Sequence, residues 1–349
     1  MKIEVILRNT SPIFSATPGS DTISLEGRYN PPGGGFPLTA TRKMRVPAAA
    51  GEGALKPVAV PVVPGNTMRN LLRRSILEHF VMPQIAGRDR LSIGAYAAAF
   101  AGNATGNPKG VATFDDIVAT RAHVFLGLFG GGPRMMQGRL TVDTLYPIHQ
   151  HAQRLLGPGY EERMLSGNLV DVVWSRRVDP ILKTRDENAQ EVIKDGRQAL
   201  TQWAVDAMQA SAAKSAKRGA KKGADEAEPA AEEGNSARGL SAFNAHEVVI
   251  PGVDWLLRIE LEKPTDAQVG LVLAGLAKIP QMTIAGGFAK GYGKNQIEAV
   301  NLDGEAVWAG GSYVDSSELN RYFDAMAEQL ETLDASGFEA FIASTEDEK

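Results

Sequence analysis

Cysteine is absent from this 349-residue chain. That absence excludes disulfides, thiol catalysis and cysteine-ligated zinc or iron–sulfur centres, and any metal site would have to be built from His, Asp or Glu. Histidine is scarce as well, with five in all. His149-Gln150-His151 is the one close pair. Alternate residues of a strand point to opposite faces, so no metal is expected there. No serine stands in a Gly-x-Ser-x-Gly elbow. Gly293-Lys294 is followed by Asn295, and no glycine stands where a P-loop needs its first one, so ATP binding is not expected. No apolar run reaches membrane-spanning length, and Met1–Arg8 carries an acid and too short an apolar stretch for a secretory signal. A cytoplasmic protein without cofactors is the expectation.

The net charge of −4 is unevenly distributed. Residues 301–349 hold two basic and twelve acidic residues, so the preceding 300 are net positive. A basic body with an acidic end is compatible with an anionic partner such as RNA, held away from one side.

Hydrophobic periodicity divides the chain. Ile3, Val5 and Leu7 alternate with polar residues, the pattern of a half-buried strand. Residues 10–57, rich in Gly, Pro, Ser and Thr and including the turn at Asn30–Gly35, are expected to be irregular. From Thr67 to Val81, Met68, Leu71, Leu72, Ile76 and Phe80 recur at helical spacing with arginines alongside. Strands are expected at 138–143, 169–174, 247–250, 255–261 and 295–300, and helices over 266–278 and at the end of the chain, where Leu319, Tyr322, Phe323, Met326 and Leu330 share a face. Residues 204–238 form an Ala/Lys/Glu/Gly tract with too few large apolar residues to fold alone. The order of elements suits an α+β fold with a ferredoxin-like antiparallel sheet, helices on one side and large insertions.

Two glycine-punctuated basic turns look built for a phosphate backbone. In Pro64-Gly65-Asn66-Thr67-Met68-Arg69, a strand-like run breaks into a helix that Asn66 or Thr67 could cap, and free N–H groups at a helix start attract anions. Arg69, Arg73 and Arg74 add charge on the opening turns. In Gly286-Gly287-Phe288-Ala289-Lys290-Gly291-Tyr292-Gly293-Lys294, glycines permit close backbone approach, Lys290 and Lys294 supply cations, and Phe288 and Tyr292 offer surfaces for stacking. Further cations that could meet RNA are Arg42, Lys43 and Arg45 upstream, Arg134 and Arg139 around a glycine turn, and Arg176 and Arg177.

Four landmarks carry a family resemblance. Pro64–Arg73 is similar to a Pro-Gly-Ser-Ser-basic helix start. Leu128-Phe129-Gly130 with Gly138-Arg139-Leu140 resembles a Leu-Phe-Gly and Gly-Arg-Leu pair. Val249-Ile250-Pro251-Gly252 resembles Val-Pro-x-Gly, and 286–294 resembles a Gly-Gly-x-x-basic-Gly-Tyr-Gly-basic loop. In this order, over about residues 1–300, they resemble the repeat-associated mysterious protein superfamily, specifically the Cas-seven backbone subunit of CRISPR effector complexes, and most of all its type IV version.

The resemblance implies an RNA-recognition-motif-like palm (1–82, 123–175 and 247–300), fingers (83–122), a thumb (176–246) and an acidic helical extension (301–349). It implies that copies stack along a CRISPR guide RNA, flanked by other effector subunits, and leave the guide free to pair with a target nucleic acid. Phosphate contacts carry over to Asn66, Thr67, Arg69 and Arg73. Type III relatives cut RNA with an aspartate upstream of the Pro-Gly helix, but residues 36–51 contain no Asp or Glu. A subunit without ribonuclease activity is therefore expected, against the alternatives of a superfamily endoribonuclease, which processes guide precursors or cuts target RNA, and of a general single-strand binder.

Overall fold

A computed structural model describes residues 1–17, 21–23, 36–49, 55–102, 112–178, 202 and 241–342. The turn at 30–35 and the tract at 204–238 lie outside the described residues. The chain divides into two compact units, one made of 1–18, 41–171 and 247–349, the other of 19–40 and 172–246.

Six elements frame the first unit: β1 (Lys2–Asn9), α1 (Gly65–Ile76), β2 (Leu140–Val142), β3 (Asp254–Leu261), α2 (Asp266–Lys278) and β4 (Asn295–Leu302). The strands pair antiparallel in the spatial order β4-β1-β3-β2. With one helix after β1 and one after β3, this is the ferredoxin-like, RNA-recognition-motif-like arrangement. Val5 faces Leu257 on one side and Val300 on the other. Alternation does what it predicts: Ile3, Val5 and Leu7 are fully buried beneath the helices, with Leu257, Ile259 and Val300 beside them.

α1 and α2 lie together on that buried face. Met68, Leu72 and Ile76 of α1 are core residues, as are Leu271, Val272, Leu273 and Leu276 of α2. Ser75 Oγ donates to the carbonyl of Gly275 at 2.7 Å, tying the two helices where they cross. A capping box of Thr265 and Gln268 opens α2. The helix begun by α1 passes into a π turn at Leu77–Val81, a turn the spacing did not announce.

Helices Ile93–Ala101 and Phe114–Ala122 occupy the segment expected to be fingers. Ser316 caps the helix Ser317–Glu331, which buries Leu319, Tyr322 and Leu330. The last helix, Ser336–Ile342, contributes Phe338 and Phe341 to the core. Its Glu339 accepts hydrogen bonds from Ser92 N and Oγ at 2.6 and 2.8 Å.

One expectation fails. The stretch upstream of α1 is not irregular, because Lys43–Ala49 and Leu55–Pro61 form an antiparallel hairpin. Val46 and Ala48 point inward while Lys43, Arg45 and Pro47 point out. Proline and small residues had masked a period of two.

In the second unit, Phe36–Thr39 pairs antiparallel with Asp21–Ile23 and parallel with residues 245–246 of the strand Ser241–Val249. Val170–Val178 is the far strand of that sheet.

Asn9 closes the end of β1. Its buried carboxamide donates to Ser11 O and Ile250 O at 2.8 and 2.9 Å, and accepts from Val253 N and Trp255 Nε1 at 3.0 and 3.1 Å. Asn9→Ala would strand two buried donors and two acceptors, so urea denaturation should show a loss of about 3 kcal/mol. A loss under about 1 kcal/mol would show that these groups find other partners.

Candidate nucleic-acid interface

Pro64 is the N-cap of α1 and makes no side-chain cap. Asn66 and Thr67 therefore do not cap the helix, as the sequence suggested, but stand within its first turn. The helix starts at Gly65 because any side chain there would collide with the backbone of Val142 and Asp143. No acid stands in the first turn to neutralise it.

Asn66, Arg69, Asn70 and Arg73, spaced i, i+3, i+4 and i+7, form one polar stripe. Arg69 donates Nη2 to the carbonyl of Phe129, and its guanidinium carbon lies 5.8 Å from that ring's centre. Arg73 donates Nη2 to Gly130 O at 3.0 Å and lies 5.1 Å from the same centre. Arg73 is only 3% exposed, so it does not project outward as its place beside the apolar stripe implied. Both Nε atoms are buried without a partner. Burial lowers the Arg69 pKa, while burial and then the neighbouring Arg69 charge lower that of Arg73 to about 10. The fit continues to Gly102, whose φ of +84° favours glycine and where a side chain would strike Arg73.

A cleft of about 450 Å³ opens between this stripe and the segment 129–141. Asn66, Arg69, Asn70 and Arg73 line one side, and Phe129, Gly131, Met135, Gln137, Gly138 and Thr141 the other. Among the described residues no Asp or Glu lines it. The Pro-Gly helix start and, some sixty residues on, the segments Leu128-Phe129-Gly130 and Gly138-Arg139-Leu140 thus meet at one cationic cleft. The sequence reading missed Asn70, Gln137 and Thr141. Asn70, one helical turn beyond Asn66, carried a signal in its spacing, whereas Gln137 is brought in by the hairpin Gly130–Gly131 with Met136–Gln137 and Thr141 by β2.

Other predicted cations have internal duties. Arg134, with a side chain 5% exposed, pairs with Asp116 at 2.7 Å and donates to Ala340 O at 3.0 Å, so it fastens the last helix instead of facing RNA. Hydrogen bonds from Thr113 and then the Arg134 charge hold Asp116 below the usual carboxylate range. Arg139 donates to Glu262 O at 3.1 Å and to Lys263 O, and so serves the end of β3. Lys43 pairs with Glu247 at 2.5 Å, and Glu247 also accepts from Thr41 N at 3.0 Å. Arg42 is half-buried, with its backbone bonded to Ser15 and Val62. Arg45 is exposed on the outer face of the hairpin.

The glycine-rich loop is sewn to the start of the chain. Gly286 N donates to Phe14 O, Gly293 N to Pro12 O and Lys294 N to Ser11 Oγ. Lys290 and Lys294 are exposed, but Tyr292 is 9% exposed and offers no stacking surface, because it fills the space against Gly287. Phe288 lies in the short turn Phe288–Lys290, and Arg176 and Arg177 lie on Val170–Val178. The side chains of these three lie outside the described residues.

The sheet face opposite the helices, where this architecture commonly stacks bases, is closed. Ile148, Ala152, Leu156 and Tyr160 pack on Ile6 and Leu256. Arg8 and Arg163 both bind Asp254, at 2.7 and 3.0 Å, and Arg258 binds Glu4 at 2.9 Å. The Asp254 hydrogen bond raises the Arg8 pKa despite partial burial. His149 and His151 are not on a strand: His149 caps a 3-10 turn, Gln150–Ala152, that contains His151, their rings lie 4.9 Å apart, and His149 Nε2 is 2.9 Å from Gly167 O. Among the described residues no cluster of His, Asp and Glu is placed to hold a metal, and no helix is long and apolar enough to cross a membrane.

Fold and cleft together define a ferredoxin-like protein whose cationic site lies beside its first helix and not on its sheet. No family model matches the chain, and no curated protein matches it. Among solved structures it is similar to a chain described as "Type IV-B CRISPR Complex", with a TM-score of 0.47 and 15% identity over 86% of this chain and 91% of that one.

The depressed Arg73 pKa has a definite sign. Above about pH 10 the unfolded chain holds the proton more tightly, so a stability penalty is present below pH 10 and relieved as pH rises beyond it. Replacing the buried cation by an apolar isostere removes that penalty at the cost of one carbonyl partner. Arg73→Met should therefore change unfolding free energy at pH 7.5 by no more than about 1 kcal/mol, in either direction. A loss above about 3 kcal/mol in urea would show the charge itself to be structural.

Proposed function

We propose that this chain is a non-catalytic backbone subunit of a CRISPR effector ribonucleoprotein that polymerises along guide RNA. One observation carries the reading: the three motif segments that meet at the cleft bring two arginines there and no acid. Such a site suits a phosphodiester chain, whose charge supplies most of the affinity and none of the sequence information. Arg69 and Arg73 give the cleft its field from below, Asn66 and Thr67 present the helix start, and Arg45 and Lys294 extend positive charge on exposed surfaces. Sequence specificity then belongs to pairing between guide and target.

In this reading residues 83–122 are fingers, 176–246 are a thumb that reaches a neighbouring copy, and 301–349 are an acidic extension. The partners are guide RNA, further copies, capping subunits and the paired target, in the cytoplasm. The acid-free stretch 36–51 supports a subunit that holds RNA without cutting it.

Expression alongside a CRISPR array tests this directly. The protein should elute as a particle several times the mass of one chain and carry RNA of uniform length. A single, RNA-free chain in cells making the transcript would overturn the reading, and defined cleavage of labelled repeat RNA by the purified protein would favour an endoribonuclease. Arg45→Ala should weaken binding of all RNA sequences alike and lower the slope of log affinity against log salt by about one.

A further inference from the structure

We propose that the cleft beside α1 takes one nucleotide of the bound strand and reads its base, with a preference for adenine, through the carboxamides of Asn66, Asn70 and Gln137. This rests on the RNA-binding reading above.

The cleft, at about 450 Å³, is large enough to take one base beside the backbone that passes it. Its two arginines are largely committed: Arg73 to Gly130 O and the Phe129 ring, Arg69 to Phe129 O. They lend charge, but what faces the open space is different. Asn66, Asn70, Gln137 and Thr141 are all exposed, and among the described residues no hydrogen bond occupies the three carboxamides.

A phosphate offers only acceptors and would use only the NH₂ half of each carboxamide. A base edge offers donors and acceptors side by side, and a carboxamide answers both. Adenine, with N6 as donor beside N7 as acceptor, matches one carboxamide with two parallel hydrogen bonds. Unstacked bases of a single strand present these edges freely. The Phe129–Gly130 clamp holds the hairpin that carries Gln137, so the two walls keep their separation before any ligand arrives.

The test compares oligo(A), oligo(U) and oligo(C) of equal length, at one salt concentration, on the full chain. Wild type should bind oligo(A) about tenfold more tightly than oligo(U). The double variant Asn70→Ala/Gln137→Ala should reduce that ratio to within about twofold, by weakening oligo(A) binding far more than oligo(U) binding. Both substituted side chains are exposed, and equal urea midpoints would confirm an intact fold. Equal affinity of wild type for all three oligomers would overturn base reading while leaving RNA binding in place. A preference that survives in the double variant would also overturn it, by placing discrimination elsewhere. Failure of wild type to bind any oligomer would remove the RNA-binding reading itself. Adenosine monophosphate is the remaining arm: tight saturable binding of the free nucleotide would assign the cleft to a small molecule and overturn its place on a strand.

Discussion

Two like charges stacked on one aromatic ring set the terms for the rest of the palm. Arg69 and Arg73 share Phe129, and among the described residues no carboxylate in the cleft answers them. Desolvating a guanidinium is costly, and here the compensation is two carbonyls and a ring face. That compensation has geometric demands. It fixes the helical phase of α1 against residues 129–130, leaves Gly102 no room for a side chain and holds a glycine hairpin at a set distance from the helix. The helix start is in turn pressed on Val142 at Gly65. A strained electrostatic core and a well-defined opening are thus the same piece of architecture.

Charge elsewhere is handled in the opposite way. On the far face of the sheet, Arg8, Arg163 and Arg258 each meet a carboxylate, and the apolar cluster around Tyr160 lies next to them. Positive charge is neutralised where the sheet is covered and left unneutralised where the cleft opens. The contrast gives the basic body a direction, which the net charge of −4 conceals. It also explains why Arg134 and Arg139 are poor candidates for a ligand despite their place beside a motif: each already satisfies carbonyls that the surrounding helices and strands leave bare.

The framework was legible because it rests on periodicity. Strict alternation in β1 and the apolar stripe of α1 each follow from local spacing, and the structure has the ferredoxin-like order they suggested. The pairing partner of the strand-like run at 58–63 was hidden because Pro47 and Pro57 read as loop residues, although both lie where a two-stranded ribbon tolerates them. Which arginine faces outward was not legible at all. Arg73 and Arg74 are adjacent and chemically identical, yet one is buried on Phe129 and the other pairs with Glu78 on the surface. That choice depends on a ring 56 residues downstream of Arg73. Tyr292 was misjudged for the same reason, since a glycine loop can fold over its own aromatic.

The bond from Arg134 to Ala340 joins residues 206 positions apart. Residues 129–137 are thus held between α1 on one side and the helix Ser336–Ile342 on the other, so a substitution in that helix would be felt at the cleft without lining it.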